Sequence, residues 1–241
     1  MKTPVQLAWM DLGIIGYDEA FAIQTALHLR RRNEAGPNVI LFQENFHVIT
    51  LGRSASAEHL LASPRLLEER GVTVCSVSRG GDITYHGPGQ LVISPIVKLS
   101  DLVQGVHQYV RQLEQVVIDL LAGYGVDSGR VEGASGVWVG DKKIAAVGIA
   151  VKNGIAQHGV AINVCPDLSY FDLIVPCGLK GKGVTSLKEL GVPVPSLQQV
   201  RDNFLQEFSR IFAVQMMLEY HFPTEWDDEA TGSAARAASH S

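Results

Sequence analysis

The pattern of apolar and polar positions predicts short strands interleaved with four helices. Three of these helices are predicted at residues 17–32, 64–70 and 196–212, and the fourth, central one lies between the last two. Ser196 and Gln199 form a capping box at the start of the last helix. In the central helix, apolar residues recur on one helical face, at Val106, Val110, Leu113, Val117 and Leu120.

The apolar runs of strand length do not alternate with helices in a regular βαβ order. Pro95 predicts a bend or a sheet edge within the run at 90–99. The runs at 39–43 and 48–51 are predicted to form a hairpin, and Asn153-Gly154 predicts another between the last two runs. This order indicates an α+β fold with a mixed, largely antiparallel sheet flanked by helices. The predicted strands are 5–12, 39–43, 48–51, 72–77, 90–99, 134–139, 144–151 and 155–164.

Composition narrows the class of protein. The 241 residues are 46% hydrophobic and 19% charged, which is typical of a soluble globular domain, and we predict one catalytic domain at 1–222 and a disordered tail at 223–241. A net charge of −5 gives no footprint for nucleic acid, and no apolar run approaches the length of a membrane span. Three cysteines without a repeating spacing and an N-terminus without a signal-like apolar stretch predict a cytoplasmic protein without a metal site.

Lys143 and Cys177 are the strongest candidates for chemistry. Cys177 stands between Pro176 and Gly178, so a turn is expected to expose its thiol and the backbone N–H groups that follow it. Lys143 opens the apolar run that follows, which places its stem in a strand and its amine at a site. A lysine beside a cysteine lowers the pKa of the thiol, and this pairing makes a thiolate nucleophile with an amine acid/base.

A glycine-rich segment from Arg79 to Gln90 is the second signal. It holds four glycines and one proline in twelve residues, and neither a P-loop nor a dinucleotide fingerprint matches it. Donors, an aromatic ring and a titratable ring occur together in Arg79, Thr84, Tyr85 and His86. Such a mixture predicts the wall of a mostly apolar binding pocket with a few placed polar groups.

Four motifs together resemble the octanoyltransferase family. They occur in the family's order and at similar spacings, preceded by Leu51-Gly52-Arg53, and the resemblance covers residues 5–213. The motifs are Arg79-Gly80-Gly81-Asp82-Ile83-Thr84-Tyr85-His86-Gly87-Pro88-Gly89-Gln90-Leu91, Lys143-Ile144-Ala145-Ala146-Val147-Gly148-Ile149, His158-Gly159-Val160-Ala161-Ile162-Asn163-Val164 and Val175-Pro176-Cys177-Gly178.

The resemblance implies a fold similar to the catalytic domain of biotin- and lipoate-protein ligases. It also implies transfer of an octanoyl group from octanoyl-acyl carrier protein to a specific lysine of a lipoyl-accepting domain, the first step of endogenous protein lipoylation. The acceptors would be lipoyl domains of 2-oxoacid dehydrogenase E2 subunits and the glycine-cleavage H protein. No cofactor is implied beyond the phosphopantetheine that the donor carries, and Lys142, Lys180 and Lys182 could contact an acidic partner.

By the same resemblance, Cys177 is the acyl-thioester nucleophile, and Lys143 is the general acid/base that lowers its pKa. Gly148 and Gly159 are expected to leave a channel for the acyl chain. The residues expected to bind substrate are Arg79, Gly80, Gly81, Asp82, Ile83, Thr84, Tyr85, His86, Ala146, Val147, Gly148, His158, Gly159, Val160 and Ala161.

Alternatives stay open at this stage. His86 and His158 compete with Lys143 for the role of base, because histidine is the commoner acid/base near neutral pH. The permanent positive charge of a lysine favours Lys143 beside a thiolate. Rival functions are an ATP-dependent lipoate- or biotin-protein ligase, an amidotransferase that moves octanoyl groups between lipoyl domains, and a binding module without catalysis.

Overall fold

A computed structural model describes residues 5–175 and 182–220. Within these residues the helices are α1 (Tyr17–Arg32), α2 (Pro64–Glu69), α3 (Leu99–Leu102), α4 (Val106–Gly123) and α5 (Leu197–Phe212), with short 3-10 helices at Ala57–His59 and Leu168–Leu173. The strands are β1 (Gln6–Ile15), β2 (Asn38–Asn45), β3 (Val48–Leu51), β4 (Thr73–Ser76), β5 (Ile83–His86), β6 (Gln90–Ile96), β7 (Gly129–Val131), β8 (Ala134–Val139), β9 (Lys142–Lys152), β10 (Ile155–Asn163), β11 (Gly183–Val184) and β12 (Gln215–Glu219).

Two sheets organise the described chain. The larger has the strand order β12-β1-β2-β6-β10-β9-β8-β7, with β11 paired to β9, and the smaller has the order β4-β3-β5. Every neighbouring pair from β2 to β7 in the larger sheet is antiparallel, whereas β1 is parallel to β2 and β12. The predicted α+β fold with a mixed, largely antiparallel sheet is therefore confirmed.

Helices α4 and α5 cover one face of the larger sheet. Leu113 and Val117 of α4 and Phe204 and Phe208 of α5 are fully buried in the main core, where Phe42 of β2 also packs. The helical stripe predicted for α4 is thus largely confirmed, except that Val106, in the first turn of the helix, is exposed.

Helix α1 and the smaller sheet lie against the opposite face. Side chains alternate along a strand, so Leu41 of β2 points away from its neighbour Phe42 and packs with Leu27 of α1 in a separate cluster. The smaller sheet has its own core around Ile49 and Tyr85. The site described below lies on this side of the larger sheet.

The predicted hairpin of residues 39–43 and 48–51 is wrong. β2 pairs with β1 and β6 in the larger sheet, whereas β3 pairs with β4 and β5 in the smaller one. Both strands are almost entirely buried, and a short buried run does not reveal its pairing partner. The connection at 46–47 instead carries the chain from one sheet to the other.

Pro95 lies in the middle of the larger sheet, not at an edge or a bend. Pro95 is tolerated because the hydrogen-bond ladder between β6 and β10 is interrupted at this point: it covers Ile93↔Val160 to Gln90↔Asn163 and resumes only at Val97. At the gap His158 adopts a positive φ of 56°, and its N–H donates to Gln24 Oε1 (3.0 Å) instead of to a strand.

Replacing Gly159 with alanine tests this close approach of β10 to β6. A Cβ at Gly159 would lie 2.3 Å from Ile93 O and 2.7 Å from Pro95 Cδ, both part of a central strand. We expect a loss of about 1–3 kcal/mol in the free energy of unfolding, as for other overpacked interiors. Urea denaturation measures it, with Gly129→Ala as control because a Cβ at Gly129 meets nothing within 4 Å. Equal stability of the two variants would contradict the proposed crowding.

Candidate active site

A cavity opens between the larger sheet, the start of α1 and the glycine-rich segment. Its empty volume is about 630 Å³ when the open solvent at its mouth is included. The lining residues are Tyr17, Gln24, Gln43, Arg79, Gly80, Gly81, Asp82, Ile83, Thr84, His86, Val92, Ser94, Ser135, Lys143, Ala146, Val147, Gly148, His158, Gly159, Val160 and Ala161.

The cavity brings together Lys143 and all but one of the residues predicted to bind substrate. The exception is Tyr85, which was predicted to line the pocket and does not. Alternate residues of β5 point to opposite faces, so Thr84 and His86 line the cavity while Tyr85 is fully buried in the smaller core. There the Tyr85 hydroxyl contacts His47 Nδ1 at 2.8 Å.

The predicted acyl channel beside Gly148 and Gly159 is also corrected. The two glycines face each other across β9 and β10 and both line the cavity. A Cβ at Gly148 would lie 3.1 Å from Gly80 O and 3.2 Å from Arg79 Cδ, and the space beside Gly159 is filled by β6. These glycines therefore allow protein backbone to approach closely and do not leave empty space.

The aromatic wall of the site comes from α1. The rings of His86, Tyr17, Phe21 and His158 form a stacked series with centroid separations of 6.4, 6.4 and 5.4 Å. Burial raises the pKa of Tyr17 to about 12, so its hydroxyl stays protonated at neutral pH. Sequence reasoning missed this wall because α1 was recognised only as a helix, without its partner in the sheet.

Other lining residues were missed for a related reason. Polar side chains in buried apolar strands are a recognisable signal of a site, because a buried polar group needs a partner. Gln43 and Ser94 are such residues, each buried next to apolar positions of its strand. The residues that line the cavity but were not predicted are Tyr17, Gln24, Gln43, Val92, Ser94 and Ser135.

Lys143 lies at the β9 end of the cavity and is only 6% exposed. Its Nζ lies 4.8 Å from the centre of the Trp138 ring, and Lys182 Nζ lies 5.4 Å from the same ring. Lys182 also forms an ion pair with Asp141 (2.8 Å). The Lys143 amine thus lies over an indole face, and this cation–π contact orients it.

A buried carboxylate supports the strand beside Lys143. Glu114 of α4 accepts hydrogen bonds from the Gly136 N–H (3.0 Å) and from Arg130 Nε (2.9 Å). Gly136 has φ 110°, and a Cβ there would lie 2.5 Å from Ala145 O and 3.4 Å from Lys143 Cε. Only glycine fits this position, so β8 can approach the lysine stem closely.

Arg79 begins a buried chain of hydrogen bonds. Its Nη2 donates to Thr50 O and Thr50 Oγ1, both at 2.8 Å. The Thr50 hydroxyl then faces His86 Nε2 at 3.4 Å, and His86 Nδ1 donates to Gln90 Oε1 at 2.7 Å. Because an amide oxygen only accepts, this arrangement holds a neutral His86 with its proton on Nδ1.

The same chain continues to the strand of Lys143. Gln90 Nε2 donates to Asn163 Oδ1 (2.9 Å), and Asn163 Nδ2 donates to Thr185 O (3.0 Å). The Thr185 N–H donates in turn to Lys143 O (3.0 Å). A buried hydrogen-bond network of this kind rigidifies what it connects, here the glycine-rich segment and β9.

Both site histidines are neutral at pH 7. Burial, with a smaller effect of the Arg79 charge, lowers the pKa of His86 to about 4 and that of His158 to about 4. The ring of His158 contacts Ser78 Oγ at 3.3 Å through Nε2.

Cys177 lies outside the described residues, as does Lys180. The described chain ends before it at Val175, whose N–H donates to His59 O (2.8 Å), and resumes at Lys182. Immediately afterwards β11 pairs with β9, with Val184 opposite Lys143. The sequence that follows Cys177 therefore rejoins the described structure beside Lys143.

Two further features of the described residues concern membranes and metals. Within 5–175 and 182–220, no helix is long and apolar enough to span a membrane. Over the same ranges, no group of three or more His, Cys, Asp or Glu side chains is placed to hold a metal ion.

Comparison with known proteins identifies the family. Residues 16–209 match the model of the lipoyl protein ligase A/B catalytic domain. The chain belongs to this family. The octanoyltransferase of Solibacter usitatus is 48% identical over 207 residues, which cover 86% of this chain and 93% of that protein. The octanoyltransferase of Chloroflexus aurantiacus is 46% identical over 212 residues, covering 86% and 95%. The resemblance found in the motifs is confirmed.

A solved structure of similar architecture confirms the fold. Lipoate-protein ligase A bound with ATP superposes with a TM-score of 0.76 at 18% identity, covering 95% of this chain and 94% of that one. The expected similarity to lipoate-protein ligases therefore holds for the architecture.

The lowered pKa values of His86 and His158 predict how the stability of the protein depends on pH. Their folded-state pKa of about 4 lies below the ordinary value of 6.5, so the unfolded chain binds protons more readily between these values. The contribution of the two neutral histidines to the free energy of unfolding is full above pH 6.5 and is lost as the pH falls towards 4. We expect a loss on the order of 3 kcal/mol per histidine in the free energy of unfolding.

Urea denaturation from pH 7 to pH 4 measures this loss. His158→Gln should flatten the profile, whereas replacing the exposed His107 with Gln should leave it unchanged. A profile identical in the wild type and His158→Gln would contradict the buried neutral state of His158.

Proposed function

We propose that this chain is an octanoyltransferase that moves an octanoyl group onto a lysine of a lipoyl-accepting protein through a thioester on Cys177. The observation that carries the proposal is the position of Lys143: its buried amine borders a largely apolar cavity, and β11, reached directly after Cys177, pairs with its strand. Octanoyltransferases at 46–48% identity over most of the chain support the same activity.

The chemistry of the two steps follows from these residues. The Cys177 thiolate attacks the carbonyl carbon of the octanoyl thioester, the bond from that carbon to the phosphopantetheine sulfur breaks, and Lys143 protonates the departing thiolate. Lys143 then takes a proton from the ammonium of the acceptor lysine, and the free amine attacks the acyl-enzyme. As the C–N bond forms and the C–S bond breaks, the second proton of the amine passes to the departing Cys177 sulfur. An amide replaces a thioester in this second step, which makes the overall transfer favourable.

The assignment of the base to Lys143 is supported by the state of its competitors. His86 and His158 are both neutral at pH 7, and their ring nitrogens contact Gln90, Thr50 and Ser78. A neutral imidazole provides no positive charge to stabilise a thiolate. The two histidines therefore suit shaping of the cavity and positioning of Arg79.

The proposed donor is octanoyl-acyl carrier protein, and the acceptors are lipoyl domains of E2 subunits and the glycine-cleavage H protein. Relatives named octanoyltransferase and the lipoyl protein ligase family support a lipoyl-accepting substrate. Lys142 is exposed beside the site and Lys182 is partly so, which suits an acidic donor protein. No cofactor is needed, because the donor brings an activated acyl group.

Intact-protein mass spectrometry after mixing with octanoyl-acyl carrier protein tests the acyl-enzyme. We expect the mass to rise by one octanoyl group, which hydroxylamine releases because it cleaves thioesters. Cys177→Ser should lose the hydroxylamine-labile adduct, whereas Cys165→Ser should keep it. An unmodified wild-type protein that lipoylates a domain only with octanoate and ATP would place the chain among the ligases instead.

Replacing Lys143 with methionine tests the acid/base. Methionine retains an unbranched stem against Trp138 but has no amine, so we expect transfer to fall by about 10²–10⁴-fold. Lys142→Met, at the exposed neighbouring position, should change the rate by less than about tenfold, since it removes a charge without removing the acid/base. Single-turnover transfer to a lipoyl domain is the measurement. Near-normal transfer by Lys143→Met together with its loss in His158→Gln would reverse the assignment.

A further inference from the structure

Four residues from neighbouring strands form a row along the cavity. The register places Gln43 opposite Val92, Val92 opposite Ala161 and Ala161 opposite Ala146, and all four line the cavity. Residues directly opposite one another share a face of the sheet. Since neighbouring strands lie about 4.8 Å apart, the row spans about 14 Å from β9 to β2.

The two ends of this row differ in exposure. Lys143 lies on β9 with Ala146, and Ser135 of the adjoining β8 lines the cavity while exposed to solvent. At the other end, Gln43 is 2% exposed and Ser94 is 1% exposed. The lining is therefore exposed at Ser135, on the strand next to that of Lys143, and buried at Gln43 and Ser94.

Gln43 has an unusual environment at this buried end. Its Oε1 is buried and has no hydrogen-bond partner among the described residues, and its Nε2 lies 3.5 Å from Asn45 Oδ1. Between Gln43 and Lys143 the row consists of Val92, Ala161 and Ala146. An apolar chain that enters from the Lys143 end thus follows apolar side chains until it meets a buried amide.

We propose that Gln43 sets the length of the acyl chain that the cavity accepts. With the thioester carbon beside Lys143, an unbranched medium-chain acyl group lies along the row, and the Gln43 amide closes the end against longer chains. The amide excludes longer chains by its size and by its polarity, because a hydrocarbon chain offers no hydrogen-bond donor to the buried amide oxygen. This inference rests on the proposed octanoyl transfer.

A competition between two donors tests the proposal. The wild type and Gln43→Ala are each given equal amounts of octanoyl- and decanoyl-acyl carrier protein, and mass spectrometry measures the ratio of decanoyl to octanoyl on a lipoyl domain. Burial of each additional methylene is worth about fourfold, so the ratio should rise about 15-fold in Gln43→Ala. Gln43→Asn, one methylene shorter with the amide retained, should raise it about fourfold.

The ratio is independent of how much enzyme is active, so a partly unfolded variant does not imitate the effect. Gln112→Ala is the matched control: Gln112 of α4 also has a buried Oε1 without a partner among the described residues, but it does not line the cavity. Its ratio should equal that of the wild type. Unchanged ratios in both Gln43 variants, with octanoyl transfer intact, would overturn the role of Gln43. Absence of octanoyl transfer by the wild type would instead overturn the proposed function.

Discussion

The buried guanidinium of Arg79 is the constraint on which the site depends. A charge that is 8% exposed is costly unless hydrogen bonds satisfy it, and its acceptors are Thr50 of the smaller sheet and Gly80 of its own segment. The Gly80 N–H in turn donates to Ile149 O of the larger sheet (2.8 Å). Arg79 therefore connects the two sheets, and the cavity exists because this segment is held across β9.

The same guanidinium decides which side chains are charged in the cavity. Arg79 adds to the effect of burial in lowering the pKa of His86 and His158, so both rings are neutral when the enzyme works near pH 7. The guanidinium donates to Thr50 and Gly80 and so holds the glycine-rich segment in place. The proton exchange with the substrate that we propose is therefore assigned to Lys143 and not to Arg79.

Sequence patterns predicted the parts of this protein that depend on local interactions. The capping box at Ser196, the Asn153-Gly154 turn with both φ values positive and the bounds of α1 all follow from neighbouring residues. Pairing between distant segments was not predictable in this way, which explains the wrong hairpin at β2 and β3. Tyr85 was misplaced because β5 was not recognised as a strand. Side chains alternate between the two faces of a strand, so without that assignment the direction of each side chain could not be predicted.

Architecture alone does not distinguish this chain from a ligase, since lipoate-protein ligase A shares the fold at 18% identity. The distribution of polarity along the cavity is more informative. Lys143 and the exposed Ser135 lie at one end, apolar side chains follow, and Gln43 is buried at the far end. This order matches a ligand with a reactive polar head and a short hydrocarbon tail. An acyl group that arrives already activated on a carrier needs only these elements and a nucleophile, because the energy of the amide bond comes from the thioester.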